Sequence, residues 1–378
     1  MTIHAPLAYL ISPQPWAGFP VSKHHYAIAL AALGWRVVFV DPPAELGRAG
    51  AIETAATDVS GIASLRYQTS FPYKLKFHAR WLFDAFMRRQ ARQLVAAAGQ
   101  PDLVWDFDNS YQFRDLRPFG AKTTLFHLVD DVGMPGFGTK HADHLFYLHS
   151  SFCVRAGGIL RDDHEIGHGL GSIHAQAART QGLEQGQPNA PRVGFVGNLG
   201  AAWIDWDAIT IMLTRNPQVR FTFWGPKPST NVRNAALSRI LAQPNATFPG
   251  VASPAQIVSE ARDVDVWLVP FVAEKLLGGP LNSHKILEYL SFGKTVVSSW
   301  LEAYDGNPLV QMLPDPNQGG ADLADLLDSV LADLVAANAP EKMAARRAFA
   351  LEHSYDLHLE RIMQVTGLAL QKTKTHAA

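Results

Sequence analysis

The sequence predicts an α/β protein of two Rossmann-like domains with mostly parallel sheets, and three observations carry that prediction. Short apolar runs alternate with longer amphipathic ones, the pattern of strands joined by helical crossovers. The alternation breaks once, at the polar stretch Thr180–Pro191 (TQGLEQGQPNAP), and then restarts. The length of 378 residues suits two domains, at roughly 100–200 residues each.

Leu7–Ser12 is the first expected strand, followed by a Gly/Pro loop at Pro13–Pro20. Ser22 is placed to cap a helix that runs to about Leu33, and Gly34 ends it. Trp35–Asp41 (WRVVFVD) reads as a buried strand stopped by Pro42 and Pro43. Leu65–Gln68 and Leu103–Phe107 are further strands with a long helix between them. Thr123–Val129 and Leu145–His149 follow, and Glu165–His168 ends the first half. Thr180–Pro191 has no hydrophobic period and reads as an interdomain linker. Beyond it, strands are expected at Arg192–Val196, Val219–Trp224, Ala246–Phe248, Val264–Val269 and Thr295–Ser298. Helices are expected at Asp205–Arg215, Asn231–Ala242, Pro254–Ala261 and His284–Phe292, and throughout from Ala321. Ligands of such sheets sit at the carboxyl ends of the strands. Two such ends are expected to face each other across a central cleft.

Composition narrows the function. The formal net charge is −1, so no whole-protein basic field recruits nucleic acid, and no nucleic-acid partner is expected. Cys153 is the one cysteine, which excludes an intramolecular disulfide and a four-cysteine zinc site and fits a reducing cytoplasm. Met1–Leu10 lacks a positive region ahead of a long apolar run, so no signal peptide is expected. No run approaches the roughly 18 apolar residues of a membrane span. A cytoplasmic protein is expected, with a peripheral place on the inner face of the membrane as its link to lipid. His164, His168 and His174 lack zinc-site spacing, and neither a nucleophile elbow nor a P-loop motif occurs.

The most informative stretch is Val264–Ser299 (VDVWLVPFVAEKLLGGPLNSHKILEYLSFGKTVVSS), which reads strand, loop, helix, strand. Gly278 and Gly279 let backbone N–H groups approach a ligand, and Asn282 and Ser283 suit the N-cap. A helix start carries partial positive charge and free N–H groups that favour phosphate. A cation in the first turn, here Lys285, is unfavourable there unless an anion binds. Glu288 lies at i+3 from Lys285, where a carboxylate can accept two hydrogen bonds from a ribose diol. The alternative is a surface pair of about 0.2–0.5 kcal/mol, which spacing alone favours.

The run S-x-K-x-x-E-Y-L-x-x-G-K-x-V-V-S resembles the donor-binding region of family-4-type GT-B glycosyltransferases. It is carried by Asp265, Pro270, Ser283, Lys285, Glu288, Tyr289, Leu290, Gly293, Lys294, Val296, Val297 and Ser298. The resemblance implies that Glu288 binds the nucleotide ribose and that the amides of Leu281, Asn282 and Ser283 hold the diphosphate. A second glutamate common in the family, eight positions earlier, is Pro280 here, with Glu274 as the candidate replacement. Val193–Leu199 (VGFVGNL) resembles the family's first strand of the second domain, and its turn, Gly197–Gly200, would face the pyrophosphate. No basic residue follows that turn before Arg215, so Asn198 or Lys227 is expected to serve instead.

In the first half, Trp16–Tyr26 (WAGFPVSKHHY) takes the place of the family's first loop, which puts Gly18, Lys23 and His25 on the acceptor side. Of the adjacent His24 and His25, one at most faces the cleft, and a solvated surface pair is the alternative. Leu125–Gly133 (LFHLVDDVG) resembles a strand end of cell-envelope glycosyltransferases, with His127, Asp130 and Asp131. His168 in IGHG stands where relatives turn at the end of the last strand. Asp106-Phe107-Asp108 has the D-x-D form of a metal site, but GT-B enzymes usually need no metal. Either carboxylate is instead expected at the place of a sugar-contacting histidine, or as a cap. The catalytic candidates are thus Asp106, Asp108, His127 and Asp130, with no metal and no cofactor.

The resemblance implies transfer from a nucleotide-sugar to a polysaccharide or lipid-linked saccharide, with retained anomeric configuration. It divides the chain at 1–180 and 190–340, with helices of 341–378 returning to the first domain. The rivals are another GT-B activity, such as a sugar-nucleotide epimerase, and a non-catalytic sugar-nucleotide-binding partner of a polysaccharide assembly complex. Lys74–Arg92 is basic and aromatic, with Phe77, Trp81, Leu82 and Phe86 at helical spacing. It reads as a helix for an anionic membrane surface, as a domain helix with its apolar face in the core, or as both.

Overall fold

A computed structural model of the chain describes residues 5–18, 20–130, 142–182, 191–226, 240, 242–272 and 283–368. They form two compact units: one runs to Gly167 and resumes at Tyr355, the other is His168–Ser354.

The first unit is built on a seven-stranded sheet: β1 Leu7–Ile11, β2 Arg36–Val40, β3 Ile52–Ala56, β4 Ile62–Tyr67, β5 Leu103–Asp106, β6 Thr123–Leu128 and β7 His144–Tyr147. The order is β3-β4-β2-β1-β5-β6-β7, and every pairing is parallel except β3 with β4. β3 (IETAA) is a mostly exposed edge strand without an apolar run to announce it. Glu165, where a final strand is expected, makes only an isolated bridge to Tyr147. Helices α1 Ser22–Ala32, α2 Leu75–His78, α3 Arg80–Ala98 and α4 Ser150–Arg155 belong to this unit. Val21 rather than Ser22 is the N-cap of α1, and Gly34 ends the turn beyond it at φ 86°.

The second unit holds a six-stranded, wholly parallel sheet. Its strands are β8 Arg192–Val196, β9 Arg220–Trp224, β10 Ala246–Gly250, β11 Val266–Val269, β12 Thr295–Ser298 and β13 Gln311–Met312. Their order is β10-β9-β8-β11-β12-β13. Its helices are α5 Ser172–Thr180, α6 Trp206–Arg215, α7 Pro254–Glu260, α8 His284–Ser291, α9 Ala321–Ala332, α10 Leu334–Ala337 and α11 Pro340–Glu352. α12, Tyr355–Thr366, lies in the first unit, where Tyr355 stacks on His25 at 4.7 Å and meets Tyr26 edge-on. The units divide upstream of position 180 because α5 packs on α7 and α8 of the second sheet. α11 packs on α8, so it too stays with the second unit. Most of the expected helix 231–242 and of the expected linker lie outside the described residues. Among the described residues, no helix is long and apolar enough to cross a membrane.

In both sheets the chain leaves the first strand in one direction and later resumes on its other side. The switch points lie between β1 and β5 and between β8 and β11. Crevices for ligands open at the carboxyl ends of such neighbours.

The opposite end of the second sheet is locked by buried polar groups. Asp265, 1% exposed, accepts from Arg192 N at 3.0 Å, and Lys294 Nζ stands 3.9 Å from its other oxygen. Asn338 donates to Asp265 O and accepts from Thr295 N and Oγ1. Arg346 donates to Asn338 and to the carbonyls of Gly293, Leu309 and Ala337, and burial lowers its pKa to about 10. Arg346→Met should therefore cost about 3 kcal/mol or more of unfolding free energy in urea titration, because several buried acceptors lose their donor. A loss below about 0.5 kcal/mol, the size of a surface change, would show that the network is dispensable.

Candidate functional site

At the second switch point, Val196 ends β8 and Val269 ends β11. Tyr289 of α8 accepts from Val196 N at 2.8 Å and stacks flat on Trp267 at 4.4 Å, which pins α8 against both strands. Gly197 N donates to Trp224 O. The approach is so close that a Cβ on Gly225, at φ 150°, would strike the Gly197 carbonyl oxygen. Asn198 is exposed, and its side-chain oxygen accepts from Gly200 N at 3.0 Å, which shapes the turn. Ser283 is the N-cap of α8, and its hydroxyl makes no capping bond. Lys227, Leu281 and Asn282, along with Glu274 and Pro280, lie outside the described residues.

Lys285 Nζ donates to Glu288 Oε2 at 2.8 Å, with both side chains about one-fifth exposed. Burial pushes the Glu288 carboxyl up, but Lys285, His284 and His174 together outweigh it and hold it at about 2. His174 reaches this carboxylate from α5, and burial keeps its own pKa low. His168 meets His284 edge-on at 5.6 Å. One carboxylate on α8 thus sits among Lys285 and the imidazoles of His284 and His174, a place for an anion beside an acceptor of hydroxyl hydrogen bonds. Sequence reading assigned no role to His284, although it directly precedes Lys285. His174 is too distant in sequence to be paired with Glu288 without the fold.

At the first switch point, Asp106 ends β5 and accepts from Asp108 N at 2.8 Å. Asp108 turns both oxygens onto backbone, accepting from Ser110 N and Gln112 N. The turn they hold contains Tyr111 at φ 55°, unusual for a residue other than glycine. Burial, then the charge of Asp108, pushes the Asp106 carboxyl far above the usual range. Asp130 is exposed and accepts from Asn109 Nδ2 at 3.4 Å. Lys23 is 2% exposed in the first turn of α1; burial lowers its pKa, opposed by the charges of Asp130 and Asp108. Lys23, Asp108 and Asp130 therefore form one electrostatic cluster. Asp106 and Asp108 serve the turn as caps. Among the described residues, no three His, Cys, Asp or Glu side chains group as a metal site.

His127 is buried among aromatic rings. It is 1% exposed, parallel to Trp105 at 6.0 Å and stacked on Phe107 at 5.4 Å. The neighbouring histidines of α1 divide their roles. His24 packs between Trp16 and Phe39, and its Nδ1 accepts from Val21 N. His25 rests on Tyr355. Gly18 is exposed on the loop whose Trp16 N donates to Asp41.

No protein-family model and no curated protein matches this chain. Solved structures do. The trehalose-6-phosphate enzyme of E. coli, solved with UDP-2-fluoro glucose, is 12% identical at a TM-score of 0.66, over 97% of this chain and 99% of that one. HepE of Anabaena, solved with UDP and glucose, is 14% identical at a TM-score of 0.63, over 97% and 100%. A glycosyltransferase of Rickettsia africae is 11% identical at a TM-score of 0.60, over 98% and 100%. The likeness spans both units and shows the GT-B fold.

The charges around Glu288 set an observable. In a carbon-13 NMR titration its carboxyl should titrate near 2 rather than the ordinary 4.5. Lys285→Gln should move the midpoint upward, since removing a cation favours the protonated acid. A wild-type midpoint at the ordinary value would dissolve the cluster.

Proposed function

We propose that this protein is a glycosyltransferase that moves a sugar from a nucleotide-sugar to a saccharide or lipid-linked acceptor. The observation that supports it most is the Lys285–Glu288 pair on α8, beside the β8/β11 switch point, in a fold shared with proteins solved with UDP and UDP-sugars. Glu288 is ionised throughout the physiological range and is suited to accept from both ribose hydroxyls. Lys285 offers positive charge to the diphosphate, and the imidazoles of His284 and His168 stand beside it as hydrogen-bonding groups. In transfer, the acceptor hydroxyl oxygen bonds to the anomeric carbon as the bond to the diphosphate breaks, and the hydroxyl proton passes to the departing phosphate oxygen. Charge develops on the departing phosphate, where fixed cations stabilise it most. The reading includes metal-free transfer with retained configuration. On the acceptor side, Lys23 with Asp108 and Asp130 is the group suited to orient polar hydroxyls.

The acceptor reading is tied to a surface of the first unit. Phe77 and Trp81 are 72% and 75% exposed, on either side of the break at Ala79 between α2 and α3. Lys74, Arg88, Arg89 and Arg92 are exposed on the same segment. Phe83, Met87 and Leu94 of α3 face the core instead. Part of the segment thus builds the domain and part presents aromatic and basic groups outward, the chemistry of an anionic lipid surface.

With EDTA present, wild type should bind one nucleoside diphosphate from a panel and transfer its sugar. Glu288→Gln, folded by circular dichroism, should bind it about tenfold or more weakly, as for loss of a hydrogen bond to a charged group. Equal affinity in the variant removes Glu288 from the donor site. Binding without transfer or donor hydrolysis makes the protein a sugar-nucleotide-binding partner.

Wild type should also sediment with phosphatidylserine-containing vesicles but not with neutral ones, since each basic residue near such a surface contributes about 1 kcal/mol. Phe77→Ser with Trp81→Ser should remove the salt-resistant fraction. Failure of wild type to sediment at low salt would leave the segment a purely structural one.

A further inference from the structure

α8 has a second end. Its carboxyl end, with the ends of α5 and α7 and the side of α11, encloses a pocket of about 300 Å³ within the second unit. Arg262, Lys294 and Arg347 line it, and the described residues around it include no carboxylate. Val258 and Phe292 give it an apolar wall. The volume lies at the lower end of the range for small-molecule sites.

The charges are compensated unequally. Lys294 is answered from behind by buried Asp265 at 3.9 Å. Arg347 donates to two backbone carbonyls, Gln181 O at 2.6 Å and Gly182 O at 3.4 Å. Those carbonyls close α5, and the partial negative charge of a helix carboxyl end also favours the guanidinium there. Burial pulls the Arg347 pKa down, so the charge is held there against desolvation. Arg262 is exposed at the rim and enters no ion pair or hydrogen bond in the described structure. Two guanidiniums and Lys294 thus line one concave wall with no carboxylate among the described lining residues, a charge balance that suits phosphate oxygens.

We propose that this pocket is a second ligand site, for a phosphorylated small molecule, distinct from the Glu288 site at the other end of α8. α8 joins the two: Ser291 Oγ donates to Glu288 O, and Phe292 meets His174 edge-on at 6.0 Å. A ligand at one end bears on the helix that carries the other.

The test is isothermal titration of the full chain with inorganic phosphate in a Lys285→Gln background, which disables the Glu288 end. Saturable binding should persist there and weaken about tenfold on adding Arg262→Gln, the loss expected for one charge-assisted contact. Arg262 makes no contact whose loss would disturb the fold, so a weakened variant reports on the pocket. Absence of saturable binding in the Lys285→Gln protein, or equal binding after Arg262→Gln, overturns the proposal. The outcome is independent of nucleotide binding, so a failure of the donor reading shows itself separately, as wild type that binds no nucleoside diphosphate.

Discussion

The buried array of Arg346, Asn338, Asp265 and Lys294 holds the amino ends of β8, β11 and β12 in one arrangement. Nearly every polar atom in it answers another chain segment, so few other arrangements satisfy it, and an unsatisfied buried charge is costly. With those ends fixed, the parallel register carries the carboxyl ends of the same strands into place, and Tyr289 ties α8 to them through Val196. Asp265 and Lys294 stand in the motif that resembles a donor-binding region, yet their work is at the far end of the sheet from the ligand crevice.

The two switch points differ in electrostatic character. Around Glu288, Lys285, His284 and His174 all favour the ionised carboxylate. At the end of β5, Asp108 and Asp130 face Lys23, beside Asp106, whose carboxyl is pushed toward the protonated form by burial and the charge of Asp108. Asp106 and Asp108 also show why a D-x-D string is weak evidence for a metal: both side chains are engaged with the backbone of the turn that follows.

The segment from Lys74 to Arg92 joins two roles that its composition alone leaves undivided. The break at Ala79 separates a one-turn helix that carries Phe77 from the long α3, where Trp81, two residues from Phe83, points away from the face that buries Phe83 and Met87. Arg80 is drawn inward to Asp84, while Arg88, Arg89 and Arg92 remain outward.

The sequence by itself determined the strands that carry both crevices, because buried parallel strands are continuous apolar runs that need no neighbour to be recognised. Arg192–Val196 and Thr295–Ser298 stand where their residues place them. The Lys285–Glu288 pair was legible for the same reason, since i and i+3 meet on any helix. Edge strand β3, with little apolar character, left no such mark. Nor could the chain say that α5 belongs to the second sheet, or which of His24, His25 and His127 would be buried. Those outcomes depend on which surfaces meet. Only the tertiary structure brought His174 to the far-removed Glu288 and His168 to His284, set Asp265 behind Lys294, and gathered Arg262 and Arg347 on one pocket. Long-range charge and packing are summed over segments that no local pattern connects.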